Sequence, residues 1–250
     1  MNHKTDQCGI DSIYNELNHT INNDKNIISH EAKKIIEMYA KDGEQGYNIL
    51  LNILVLRRSI YKNKLLLIDG LIFNYLYTSN IQTIQDKLEK SFPKGLVPLK
   101  KSLKVNYETL QQLLIEQKFQ EADALTQKHL CTLAGLNNNS NRQWLYFTDI
   151  SCIPSEDLFT IDFLWQIYSR GKFGFSIQRK IWIANNYSWD KLWSQIGWTN
   201  KTIMRRYPQE FIWNLNAPTG HLPLFNQLRG NQVLVSLFEH IVWNKSLYIN

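Results

Sequence analysis

The chain has 250 residues, 44% of them hydrophobic, with 28 Lys and Arg against 22 Asp and Glu for a net charge of +6. That length suffices for two modest domains or one large one, each able to bury its own core, and places the chain in the soluble globular class. No segment approaches the roughly 18 consecutive apolar residues of a membrane helix. The best run, Leu65 to Tyr77, is interrupted by Asp69, Gly70 and Asn74 and reads as a buried helix instead.

Residues Met1 to Ile13 are polar and partly acidic, which fits neither a secretory signal nor an Arg-rich transit peptide, so the protein is expected to work where it is made. Cys8, Cys131 and Cys152 are an odd set without C-x-x-C spacing, implying reduced thiols rather than disulfides or a zinc site. Heavy use of Asn, Ile and Lys points to an AT-biased genome, plastid or bacterial. The basic excess is concentrated early: 15 basic against 11 acidic residues lie up to Lys104, and 13 against 11 follow from Val105.

Before residue 92, apolar residues recur at helical spacing in Ala32 to Ala40, Tyr47 to Ile60, Leu65 to Tyr77 and Ile81 to Leu88. Ser29 is placed to cap the first of these and Asn80 the last, and no Val- or Thr-rich alternation suggests strands. The spacing predicts an N-terminal all-helical, bundle-like accessory domain over residues 1–91. Phe92 to Pro98, with two prolines and a glycine, breaks the pattern, and Lys100, Lys101 and Lys104 follow, so residues 92–104 read as a linker.

From residue 105 to 250 the chain changes character, since all eight tryptophans lie in this part. Tyr107 to Leu114 and Phe119 to Leu130 outline a helical hairpin turning near Gln117 and Lys118. Asn137 to Asn141 is a polar loop, and Pro154-Ser155-Glu156-Asp157 opens a helix with Leu158, Ile161, Leu164, Trp165 and Tyr168 on one face, ended by Gly171 and Gly174. Further helices are expected over Ser176 to Ala184 and Trp189 to Ile196, with a helix toward the C-terminus. The fold class is all-α, with long aromatic loops in the second domain.

The six histidines form no H-E-x-x-H pair, and neither a G-x-S-x-G nor a Walker loop is present, so no catalytic signature is visible. Gln117 to Leu125 looks like a piece of a helical repeat, but no second copy follows at a period near 34 residues. Gly171 to Ser176 either presents N–H groups to an anion or forms a tight aromatic turn against the core. Arg205-Arg206-Tyr207-Pro208, between Trp198 and Phe211, suits a flat apolar ligand edged with carboxylates, because arginine offers a planar donor fork; a solvated loop pair is the plainer reading. The turn Ala217 to Pro223 around His221 reads as structural.

Taken in order, Phe119 to Leu130 (FQEADALTQKHL), Ile153 to Ser169, Gly171 to Trp182 (GKFGFSIQRKIW), Ile196 to Trp198 and Asn214 to Leu224 (NLNAPTGHLPL) resemble the genomes-uncoupled-four family of tetrapyrrole-binding proteins. The resemblance covers about Val105 to Phe225. It implies a helical core shaped like a cupped hand, whose loops hold protoporphyrin IX or Mg-protoporphyrin IX with no intrinsic cofactor. It also implies activation of magnesium chelatase in chlorophyll biosynthesis, through that enzyme's large porphyrin-binding subunit, by a regulator that is not itself an enzyme.

Carried over by position, one wall of the site would follow Trp198 and contribute Ile203, Met204, Arg205, Arg206, Tyr207 and Phe211. The loop of Trp144, Leu145 and Phe147 would lie nearby, and Phe173, Phe175, His221 and Leu222 complete the expected ligand-binding set, with no metal ligand among them. Thr199 to Met204 departs from the family's pattern, which tends to carry glycine and a further tryptophan there. The expected setting is the plastid stroma, with cyanobacterial cytoplasm as the alternative, and the expected state a monomer, with peripheral membrane association left open. The rival reading is a protein-interaction module whose aromatic loops fill a partner's pockets without any small-molecule ligand. Nucleic acid is not expected as a partner, because the charge forms no stripe in the aromatic half.

Overall fold

The computed structural model describes residues 28–60, 64–136, 142, 144–201, 203–225, 231–240 and 243, with backbone only at residues 59 and 60. The chain divides into two compact units, Met1–Pro98 and Leu99–Asn250. The expected polar loop Asn137 to Asn141 and the segment Met1 to Ile13 lie outside the described residues.

In the first unit, α1 (His30–Lys41), α2 (Gly43–Val55), α3 (Leu67–Tyr77) and α4 (Gln82–Ser91) follow the four periodic segments. Ser29 caps α1 as its spacing predicts, its Oγ accepting the Ala32 N–H at 3.0 Å. At α4 the cap position falls on Ile81 rather than Asn80, with no side-chain cap bond, so burial of Ile84 and Leu88 fixes that helix more than its start signal does. The periodic run Tyr47 to Ile60 begins four residues earlier, at Gly43, and its last turn, Leu56–Ile60, widens to a π-helical turn.

Nine residues of α3 are buried, which accounts for the apolar run without a membrane. Its Asp69 is fully buried and still satisfied. The carboxylate accepts the Leu66 N–H at 2.8 Å and meets the Arg57 guanidinium, itself 2% exposed, at 2.6 Å. A charge out of water needs such partners, because an unpaired one costs several kcal/mol. Among the described residues no helix is long and apolar enough to cross a membrane.

The second unit is built from α5 (Glu108–Ile115), α6 (Phe119–Leu133), a 3-10 helix (Phe147–Cys152), α7 (Ser155–Tyr168), α8 (Phe175–Ala184), α9 (Trp189–Gln195) and α10 (Gln232–Phe238). Helices α5 and α6 pack as the expected hairpin, with Gln117 at φ 56° making the turn. The core is aromatic: Phe119 stacks on Trp165 at 5.9 Å and meets Phe173 edge-on at 5.4 Å, and Trp165 Nε1 donates to Thr126 Oγ1 at 3.0 Å. A second cluster joins Trp182 on α8, Trp189 on α9 and Phe238 on α10, with centroids 4.9 to 6.1 Å apart.

The sequence reading contains no strands, yet β1 (Thr199–Asn200) and β2 (Ile203–Met204) pair antiparallel, Thr199 opposite Met204 and Asn200 opposite Ile203. Lys201 in the turn has φ 47°, a left-handed backbone suited to a two-residue hairpin loop. Strands this short cannot show alternation. They matter because they shape the loop on which Ile203 and Tyr207 are exposed.

Candidate functional site

Apolar side chains left in water mark a surface for something else. Among the described residues of the second unit, the exposed large hydrophobics are Tyr146 (50%), Phe147 (51%), Tyr187 (59%), Ile203 (73%) and Tyr207 (54%). Four of these five belong to two short segments, one entering the 3-10 helix and the other the hairpin loop after Trp198. Leu145 beside the first segment is buried, and Trp144 is half-buried.

Both segments lie within electrostatic reach of α6. Burial raises the phenol pKa of Tyr207, and the Asp123 carboxylate, near the start of that helix, adds to the rise. Arg142 and Asp149, which bracket the first segment, act electrostatically on Cys131 near the helix end. Asp123 and Cys131 are eight residues apart, about 12 Å along a helix. Arg142 and Asp149 also hold one another at 2.7 Å, and the guanidinium sits 4.5 Å over the Tyr146 ring, so this segment is braced from both sides.

In the loop after Trp198, a chain of rings runs from solvent to core. Tyr207 meets Trp213 edge-on at 5.9 Å, Trp213 lies 6.2 Å from Phe211, and Phe211 lies 5.5 Å from His221. Trp213 Nε1 donates to the Pro208 carbonyl at 3.0 Å. Arg205 donates through Nη1 to the Glu210 carbonyl at 2.7 Å, and its N–H bonds the Trp198 carbonyl. The Arg206 N–H is taken by the Glu210 carboxylate at 2.8 Å, while its exposed side chain makes no hydrogen bond among the described residues. One arginine is therefore fixed and the other is free to meet an anion.

Not every residue in the expected set reaches this surface. Ile203, Met204, Arg205, Arg206, Tyr207 and Phe147 are exposed or half-buried, but Phe173, Phe175, Trp198 and Leu222 are fully buried, and Phe211 nearly so. In this arrangement the buried group backs the loops from within the core. Gly171 to Ser176 is the tight aromatic turn: the Phe173 N–H goes to Ser169 Oγ, the Gly174 N–H to the Leu222 carbonyl and the Ser176 N–H to Asp162 Oδ1. The buried Asp162 carboxyl occupies the place beside the Ser176 N–H that an external anion would take. Gly174 has φ 135°, and a Cβ there would come within 2.7 Å of Asp162 Oδ1.

His221 is fully buried, with both ring nitrogens engaged: Nδ1 lies 2.6 Å from the Ile196 carbonyl, and Nε2 accepts the Ile212 N–H at 3.1 Å. That leaves it no lone pair for a metal in this conformation. Burial lowers its pKa. The segment it belongs to is clamped further by Gln178, whose amide donates to the Gly220 and Pro223 carbonyls at 3.0 and 2.8 Å, and by Trp198 Nε1, which donates to the His221 carbonyl at 2.8 Å.

Tyr146 and Trp213 belong to the candidate surface and are missing from the expected set. Tyr146 adjoins Phe147, and Trp213 directly precedes the block Asn214 to Leu224. Proximity to those blocks is the signal that could have found them.

These loops can be set beside known proteins. A family model described as "GUN4-like" matches residues 100–241, and one described as "ARM-like repeat domain, GUN4-N terminal" matches residues 12–93. A Porphyra purpurea relative named "Uncharacterized protein ycf53" is 50% identical over 177 residues, 71% of this chain and 74% of that protein. The Arabidopsis thaliana "Tetrapyrrole-binding protein, chloroplastic" is 35% identical over 143 residues, 54% of each chain. The solved structure of GUN4 from Chlamydomonas reinhardtii superposes with a TM-score of 0.55 at 38% identity, covering 60% of this chain and 95% of that one. The sources of such relatives, Synechocystis included, fit a plastid or cyanobacterial origin. With its two units matched in order by these two models, the chain belongs to the GUN4-like family, the genomes-uncoupled-four family that its ordered sequence blocks resemble.

Proposed function

We propose that the second unit binds a tetrapyrrole, protoporphyrin IX and Mg-protoporphyrin IX being the ligands, on the face formed by the hairpin loop and the Tyr146-Phe147 segment. The observation that carries this reading is the pairing of exposed apolar side chains, Ile203 at 73% and Tyr207 at 54%, with the uncommitted guanidinium of Arg206. A flat macrocycle needs apolar contact across its faces and cationic donors at its propionate edge, and this loop offers both. The name of the Arabidopsis relative supports the ligand class.

Within the plastid stroma, the protein acts as a porphyrin carrier and activator of magnesium chelatase, docking on that enzyme's large porphyrin-binding subunit. It is a regulator and performs no chemistry of its own. Titrating protoporphyrin IX into the full chain tests the ligand reading, because Trp213 and Trp198 lie in or behind the loop. Saturable quenching of tryptophan emission is the expected result. Unchanged emission, with aromatic-loop variants that still lose binding to the chelatase subunit, would favour a pure interaction module.

A further inference from the structure

The segment 197–211 runs from Ile196 to Ile212, with Trp198 and Phe211 buried near its ends and Ile203 and Tyr207 exposed between them. Within it, the short β1–β2 hairpin, the Arg205 N–H bond to the Trp198 carbonyl and the contacts of Glu210 give the loop its shape. Its two ends are joined by one buried ring. His221 reaches the Ile196 carbonyl with Nδ1 at 2.6 Å and the Ile212 N–H with Nε2 at 3.1 Å. A carbonyl only accepts and a backbone N–H only donates, so this geometry requires the proton on Nδ1 and a bare Nε2.

We propose that His221 is the positioning residue of this loop, a neutral imidazole that staples both ends of segment 197–211 and releases the Ile212 end when it is protonated. The inference rests on the reading of this loop as one wall of the tetrapyrrole site, and adds a control on that wall. A proton on Nε2 would face the hydrogen of Ile212 N–H, so the ring or the chain must withdraw. The Ile196 bond survives protonation. Release is therefore one-sided, at the end of the loop that carries Phe211 and leads into Trp213.

The surroundings favour the closed state at neutral pH. Burial lowers the pKa of the ring, Arg205 on the loop adds to the lowering, and only the Ile196 carbonyl opposes them. Other charged groups on the packed elements are directed elsewhere. Glu210 takes the Arg206 N–H, Lys172 donates to the Leu215 carbonyl, Arg179 donates to the Phe238 carbonyl, and Lys180 acts on Asp162. Asp190 and Lys191 sit in the first turn of α9, at the opposite end from Ile196. The staple therefore opens only on acidification below the usual histidine range.

The test uses the full chain without ligand, so that it is independent of what the loop binds. NMR of isotope-labelled imidazole nitrogens should show His221 protonated at Nδ1 alone at neutral pH; an Nε2-protonated neutral ring overturns the proposal. Hydrogen exchange followed downward from about pH 7.5 until the ring nitrogens report protonation of His221 should then show the Ile212 amide losing protection about tenfold relative to the α6 amides across that titration. Ile212 protection that tracks α6 throughout also overturns it. In His221→Gln, whose amide carries a donor and an acceptor but does not titrate, the relative protection should stay flat; acid opening that persists there assigns the effect to another group. If that variant does not fold, the wild-type tautomer and exchange profile still decide. A chain that shows the staple but does not bind protoporphyrin IX would sink the site reading alone.

Discussion

Asp123 Oδ1 accepts the Leu224 N–H at 2.6 Å, joining two residues 101 positions apart. One turn further along α6, the Gln127 amide donates to the Leu224 carbonyl. The helix thus grips both backbone polar groups of one residue, and so fixes the segment that also carries His221. The Asp123 carboxyl is fully buried and no cation faces it among the described residues; desolvation pushes its pKa up to about 8 against the lowering effect of the Leu224 N–H.

A stability profile follows from that value. The unfolded carboxyl loses its proton near pH 3.9, whereas the folded one keeps it to about pH 8. The folded state then binds the extra proton, so this contribution is fully present below the unfolded pKa and is lost as pH rises toward about 8, by up to about 1.4 kcal/mol per unit. Asp123→Asn keeps the acceptor for Leu224 and cannot ionise. It should be more stable than the parent at alkaline pH and flatten the slope of urea-unfolding free energy against pH. Some slope should remain, because burial also raises the pKa of Asp162. An unchanged slope in the variant would remove Asp123 as its source.

Replacing Arg206 tests the anionic edge of the ligand. A charge-assisted contact is worth about 1.5 to 3 kcal/mol, and exposure discounts it strongly. Arg206→Ala should weaken protoporphyrin IX binding by about threefold to tenfold and leave a porphyrin without propionates unaffected. Arg205→Ala should weaken both, since its side chain also ties the loop through the Glu210 carbonyl. Equal loss for both porphyrins in the Arg206 variant would contradict the propionate assignment.

The helices were legible because their burial is periodic, as at Ala32 and Ile36 or Leu158, Ile161 and Trp165, and because Ser29 is a strong start signal. The hairpin was not legible, since Thr199–Asn200 and Ile203–Met204 are too short for a period of two to register. Composition also failed to separate wall from core. Phe173 and Ile203 look equally fit to face a macrocycle, yet one is fully buried under Phe119 and Trp165 and the other is 73% exposed. Trp165, Trp182 and Trp198 are likewise buried and build the core, whereas Trp144, Trp189, Trp193, Trp213 and Trp243 are half-buried. His221 was readable as a structural turn residue, but its partners Ile196 and Ile212 are chosen by tertiary packing.

The second unit should bind porphyrin by itself. Both exposed aromatic segments and all the contacts that brace them lie between residues 99 and 250. A fragment of that span should quench with protoporphyrin IX within about twofold of the full-chain affinity, a difference of about 0.4 kcal/mol. A fragment that gives native-like near-UV circular dichroism and no quenching would place part of the site in residues 1–98.

The proposed activation of magnesium chelatase should separate from porphyrin binding, because the two tasks need different surfaces. The ligand needs apolar side chains grouped on one face, whereas a protein partner needs a broad accessible patch with a few anchoring side chains. Ile203 and Tyr207 share a loop but differ in character. Ile203 is the more exposed and offers only apolar area, while Tyr207 is held edge-on by Trp213 and presents a phenol at its rim. Ile203→Ser should change folding stability by no more than about 0.5 kcal/mol, since the side chain is already in water, and weaken protoporphyrin IX binding. Tyr207→Phe keeps the ring and the Trp213 contact and should leave that affinity unchanged while reducing chelatase activation at saturating porphyrin. Measuring both quantities across variants of this rim and of the outer faces of α7 and α8 decides the matter. If activation falls in strict proportion to porphyrin affinity in every variant, one surface serves both tasks and the separation must be abandoned.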